Sequence, residues 1–202
     1  ALRERNFHVL DLLIGLTQLM VEGELIQLDR IGQISITEAD CMELVDRKTA
    51  CLFSACAKLG AVAGGAETQF EERLGDFAWN LGMAFQLIDD VLDYAARQAT
   101  LGKTVGDDFR EGKITLPIVL AFRAADEEQR AFWRRTLEDL EQKKGDFRRA
   151  VQLLEKTGAL AATVERARQY GRQAHEALAP FPESEEKTAL AEAADFAVNR
   201  SY

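Results

Sequence analysis

Three observations on the sequence predict an all-α fold. Apolar residues recur at i, i+3, i+4 and i+7 through nearly every long stretch, the period of a helix with one buried face. Only Pro117, Pro180 and Pro182 interrupt 202 residues. Between them Ala, Leu, Glu, Arg and Gln fill the long stretches, and all are good helix formers. With 47% hydrophobic and 29% charged residues the chain can build one good-sized core. No linker or internal repeat divides it, so residues 1–202 are expected to form a single helical domain.

The elements follow from caps and breakers. A first helix is expected from Arg5 to Leu28, ending near Gly32. Thr37 can cap a second, with Glu38 and Asp40 complementing its first turn, and the pattern continues to Gly60. Gly64 and Gly65 close the connection to a third long helix, Glu67 to Ala96. The stretch LGKTVGDDFREGK, residues 101–113, has glycine at 102, 106 and 112 and little apolar content, which predicts a loop. Thr115 can cap the next helix and Pro117 suits its first turn. Helices are then predicted at Leu116–Ala125, Glu127–Lys143, Asp146–Thr157 with Gly158 as the stop, Leu160–Leu178 and Glu185–Arg200.

Composition excludes some functions. A formal charge of −9 repels phosphate backbones, so nucleic acid is not an expected partner and any phosphate site must be local. Cys41, Cys51 and Cys56 lack both the CxxC spacing and the paired histidines of a zinc site, and are expected to be reduced core thiols. No apolar run approaches a membrane span and no secretory pattern opens the chain, so a cytoplasmic location is expected. The chain begins at Ala1 and is helical almost at once, which raises the expectation of a missing upstream part.

The stretch FQLIDDVLDY, Phe85 to Tyr94, sets carboxylates in a run that otherwise reads as core. On a helix Gln86, Asp89, Asp90 and Asp93 form one polar stripe. It is either a solvated acidic face or one side of a divalent-ion site, because clustered carboxylates are costly without a cation between them. Oxygen-only ligands without an EF-hand loop suit Mg²⁺, which completes its shell with water and substrate phosphates. A phosphorylated substrate also needs cations. Lys48 falls on the otherwise apolar stripe Cys41, Leu44, Val45, Leu52, Ala55 and Leu59, so its ammonium either enters the interior or snorkels past its stem. Lys103 and Lys113 flank the glycine-rich loop, which is either a solvated connection or a lid over a phosphate.

Together KTACLF (Lys48 to Phe53), GMAFQLIDDVLDY (Gly82 to Tyr94) and LGKTVGDDFREGKITLP (Leu101 to Pro117) resemble the second half of a trans-type polyprenyl diphosphate synthase. The likeness is greatest to the octaprenyl and decaprenyl synthases. VEGELIQL (Val21 to Leu28) and ADFAVNRSY (Ala194 to Tyr202) extend it over nearly the whole chain. The resemblance implies a partial isoprenoid-synthase-type helical bundle, the C-terminal two-thirds of a longer synthase. It implies that Asp89, Asp90 and Asp93 bind Mg²⁺ bridging to the allylic diphosphate, with Asp89 the direct ligand and the other two acting partly through water. Lys48, Lys103 and Lys113 would contact that diphosphate, and Thr49 and Gln86 would line the reacting end of the allylic chain. The implied reaction is head-to-tail condensation of isopentenyl diphosphate with an allylic prenyl diphosphate, for quinone side chains, in a homodimer.

One departure stands out. Such synthases carry a first aspartate-rich motif on an upstream helix, and this sequence has none. Asp107, Asp108 and Glu111 give a DDxxE spacing, but in a loop after the second motif they are not expected to replace it. Two expectations therefore stand side by side: part of an active synthase, or a non-catalytic synthase-like subunit that partners a catalytic chain.

Overall fold

A computed structural model describes residues 6–95 and 105–200, and among these every regular element is helical. The all-α prediction holds. α1, Phe7–Arg30, starts where Asn6 accepts the Val9 N–H at 3.2 Å. It ends before Gly32, whose φ of +74° turns the chain. α2, Glu38–Val45, opens on the expected Thr37, which forms a reciprocal capping box with Asp40.

The first difference from the sequence reading lies here. The helix predicted as continuous to Gly60 widens into a π-helical turn at Asp46–Ala50 before α3, Cys51–Ala63. A wide turn slips the register of the helix beyond it. Cys51 is therefore buried while Leu52, assigned to the apolar stripe, is exposed. The same turn carries Lys48 and Thr49.

α4, Thr68–Ala95, is the axis of the molecule, packed against α3 and two helices near the end of the chain. Its mid-section is small on one side: a Cβ on Gly82 would stand 2.7 Å from the Ala50 Cα, so only glycine lets the π turn approach. Leu87, Ile88 and Val91 face a core shared with Leu116, Val164 and Ala167. A second core gathers Trp133, Phe109, Ile118, Leu137 and Leu154.

The glycine-rich stretch is not wholly loop. Asp107–Arg110 forms a one-turn helix, α5, between Gly106 at φ +84° and Gly112 at φ +69°. α6, Leu116–Ala124, carries Pro117 in its first turn as expected, but the Thr115 hydroxyl makes no capping bond and is buried. The helix predicted over Glu127–Lys143 is shorter. α7 spans Glu127–Trp133 and a π-helical turn at Arg134–Glu138 ends it. Tertiary bonds override local propensity there. Arg135 reaches Asp146 at 2.9 and 3.0 Å, Gln142 donates to the Phe109 and Thr136 carbonyls, and Leu140 adopts φ +54°.

α8, Asp146–Lys156, stops before Gly158. α9, Ala159–Leu178, and α10, Glu185–Asn199, complete the packing around α4. No helix of the described residues is long and apolar enough to cross a membrane.

Candidate active site

The end of α1, α2 with its π turn, α4, α5 and the start of α6 enclose a cavity of about 290 Å³. Six of the residues singled out in the sequence line it: Lys48, Thr49, Gln86, Asp89, Asp90 and Lys113. Lys103 lies outside the described residues. Asp93, on the same helix face, is absent from the cavity wall.

The π turn and α4 are joined by a chain of hydrogen bonds. Thr49 Oγ1 donates to Gln86 Oε1 at 2.8 Å, and Gln86 Nε2 donates to Asp90 Oδ1 at 2.9 Å. Both ends fix the Gln86 amide. Asp90 is only 5% exposed. Burial pushes its carboxyl well above the ordinary range, and the charges of Asp108, Asp89 and Asp93 add to the shift against the Gln86 bond. Asp89 is exposed at the mouth.

Lys48 is not the interior ammonium that its stripe suggests. Its side chain is 40% exposed, its Nζ donates to Gln27 Oε1, and Glu24 lies at 3.6 Å. The π turn and these α1 acceptors draw the head to the cavity wall while the stem packs beneath, the snorkelling alternative. Lys113 is held by Asp108 at 3.1 Å and Glu111 at 2.8 Å. Burial works against its charge, but the Glu111 and Asp108 bonds and the Asp108 charge outweigh it and raise its pKa.

Sequence reasoning does not assign Asp108, Arg30 and Gln27 to the site, yet all three line it. Asp108 belongs to the GDD that glycine spacing predicts as loop. Its carboxyl is raised by burial and by the Asp93 charge, against the Lys113 ammonium. Arg30 crosses from α1 to α2, where it donates to the Asp40 carbonyl at 2.7 Å and to Glu43 at 3.0 Å. Gln27 sits in VEGELIQL, where spacing alone gives it no role. At the far end of the chain Arg200 donates to the Phe85 carbonyl at 2.9 Å and stacks over that ring at 4.1 Å.

Among the described residues no three acidic, thiol or imidazole side chains already converge on one point as an ion site. The donor chemistry nonetheless fits a hard divalent cation shared with a ligand. The cavity offers carboxylate oxygens only from Asp89, Asp90 and Asp108, and burial with mutual repulsion disfavours the charged forms of the latter two. The same cavity is lined by the cations Lys48, Lys113 and Arg30, with Lys113 paired to Asp108 at 3.1 Å. Such a site suits an anion that brings its own metal.

A helical scaffold with carboxylates and ammonium groups around one cavity defines the class of protein. Comparison gives the family. The polyprenyl synthetase family model matches residues 1–154, and the chain belongs to that family. It is 38% identical to the octaprenyl diphosphate synthase of Haemophilus influenzae over 202 residues, covering 98% of this chain and 60% of that protein. A decaprenyl diphosphate synthase from Rhodobacter capsulatus superposes with a TM-score of 0.91 at 38% identity, over 98% of this chain and 61% of that one. A polyprenyl synthase from Caulobacter crescentus, solved with calcium and isoprenyl diphosphate, superposes at 0.94 with 42% identity, over 100% of this chain and 61% of its own. The chain thus spans less than two thirds of these relatives.

Proposed function

We propose that this chain is the C-terminal two-thirds, as one helical domain, of a polyprenyl diphosphate synthase. Its reaction is the magnesium-dependent, head-to-tail condensation of isopentenyl diphosphate with an allylic prenyl diphosphate, in the cytoplasm, for quinone side chains. The observation that carries this reading is one cavity lined both by Asp89, Asp90 and Asp108 and by Lys48, Lys113 and Arg30. A metal bound with a diphosphate would balance both sets of charge. The octaprenyl and decaprenyl synthases that this chain matches support the substrate class.

Asp89 and Asp90 would hold Mg²⁺, which when bound supplies charge stabilisation for the departing diphosphate. Asp93, expected to act partly through water, has its oxygens occupied by the Gly106, Asp107 and Asp108 N–H groups. Lys48, Lys113 and, from outside the described residues, Lys103 direct positive charge to that leaving group. Gln86 and Thr49, locked to one another, border the reacting end of the allylic chain. As diphosphate departs, an allylic carbocation forms, the double bond of isopentenyl diphosphate attacks it, and a proton is lost. Fixed cations that stabilise developing charge suffice, and no protein nucleophile is needed.

The test is incorporation of labelled isopentenyl diphosphate onto farnesyl diphosphate by the protein with its upstream segment restored. Magnesium-dependent elongation is expected, and Asp89→Ala should lower the rate by at least about a hundredfold. An Asp89→Ala protein as fast as its parent would overturn the assignment.

A further inference from the structure

Asp93 lies one turn beyond Asp89, yet its carboxylate turns away from the cavity to the backbone of α5. Its Oδ1 accepts the N–H groups of Gly106 and Asp107, both at 3.1 Å, and its Oδ2 accepts that of Asp108 at 3.0 Å. The Gly106 N–H also reaches the Asp93 backbone carbonyl at 2.9 Å. A short helix has no spare partners for its first N–H groups, so a carboxylate placed there fixes where the helix begins.

What that helix presents matters. Asp108 enters the cavity from α5 and binds Lys113 through its carboxylate at 3.1 Å, while its carbonyl accepts the Lys113 N–H at 2.9 Å. Phe109, buried to 1%, anchors the turn against Phe147, and Gln142 Nε2 holds the Phe109 carbonyl at 2.7 Å. Gly106 admits the close fit: its φ is +84°, and a Cβ there would stand 2.5 Å from the Phe147 ring.

We propose that Asp93 is a positioning residue: it sets Asp108 and Lys113 at the diphosphate site through the start of α5. The proposal rests on reading that cavity as a diphosphate site. It also separates the roles within one acidic motif, since Asp89 and Asp90 border the cavity and Asp93 does not.

Two readouts on the intact protein test it. Amide exchange at residues 106–108 should accelerate about five- to tenfold in Asp93→Ala, the shift that loss of one helix cap produces. Calorimetric binding of magnesium with inorganic diphosphate should weaken in the same variant. Asp93→Asn keeps one acceptor oxygen but sets its NH2 against a remaining N–H, so it should recover only part of each readout, the two in proportion. Asp89→Asn should bind as poorly as Asp89→Ala, because a metal ligand needs the charge. The proposal is overturned if exchange at 106–108 is unchanged in Asp93→Ala, or if Asp93→Asn recovers exchange but not binding. Should the parent protein itself fail to bind magnesium with diphosphate, the functional reading falls, while the exchange result still decides whether Asp93 holds α5.

Discussion

Asp90 carries the clearest pH consequence at the scale of single residues. Its native pKa is raised, by burial first and then by the charges of Asp108, Asp89 and Asp93. The folded chain therefore keeps a proton that the unfolded chain releases. That contribution to stability is fully present below the unfolded carboxylate range and is lost as pH rises through the native value. Asp40, lowered first by the Thr37 hydroxyl, and Asp146, lowered first by Arg135, act with the opposite sign. The measurable quantity is thus a difference: Asp90→Asn should gain in Tm over the parent as pH climbs from acidic to neutral without metal. A difference that stays flat would refute the assignment. Thiols give a second prediction. Burial, then the Asp90 and Asp40 charges, push Cys41 up to about 12, whereas Cys56 is exposed. Alkylation at pH 8 followed by mass spectrometry should mark Cys56 first and reach Cys41 only on unfolding. The polar stripe on α4 was legible because helical spacing alone puts Gln86, Asp89 and Asp90 together. The direction of Asp93 was not, because it depends on amides up to 15 residues further along the chain.

Between whole elements, the decisive contact is that of α4 with the π turn. Gly82 faces the Ala50 backbone, and a methyl group there would have to displace the turn that carries Lys48 and Thr49. Gly82→Ala should cost about 1 to 3 kcal/mol by overpacking. It should also weaken diphosphate binding, since the Thr49–Gln86 bond spans the same crossing. Thermal melts and calorimetry check both, and a variant that loses stability alone would detach the crossing from the site. Helix positions could be read from apolar period and caps, Thr37 and Gly158 among them. The two π turns could not, since an extra residue in a turn leaves no mark on composition. The end of α7 was equally hidden, because it is set by partners such as Asp146 and Phe109 and not by any local breaker.

For the molecule as a whole, α1 carries an apolar seam that the described residues leave open. Phe7, Ile14, Val21 and Leu28 recur at seven-residue spacing, with Leu25 beside them, and all are exposed. This is the repeat by which paired helices meet. The expected homodimer would seat a second copy of α1 on this seam. Sedimentation of the 202-residue chain should show concentration-dependent self-association, which Val21→Lys with Leu25→Lys should abolish. Association unaffected by that pair would place the interface elsewhere. The balance of charge that argued against nucleic acid was plain in composition, but the open seam was not, since periodicity cannot say which apolar face finds cover. The two tryptophans divide this architecture in a useful way. Trp133 is fully buried in the core around Leu137. The Trp79 indole donates to Asp46 at 2.5 Å, at the first residue of the π turn, and meets Tyr170 edge-on at 5.7 Å. Indole emission responds to the charge beside the ring, so Trp79 is an intrinsic optical reporter on the π turn that carries Lys48, and buried Trp133 is an internal reference. Titration with magnesium and diphosphate should change the Trp79 component alone, and Trp79→Phe should erase the signal, letting occupancy of the cavity be followed by light without any label.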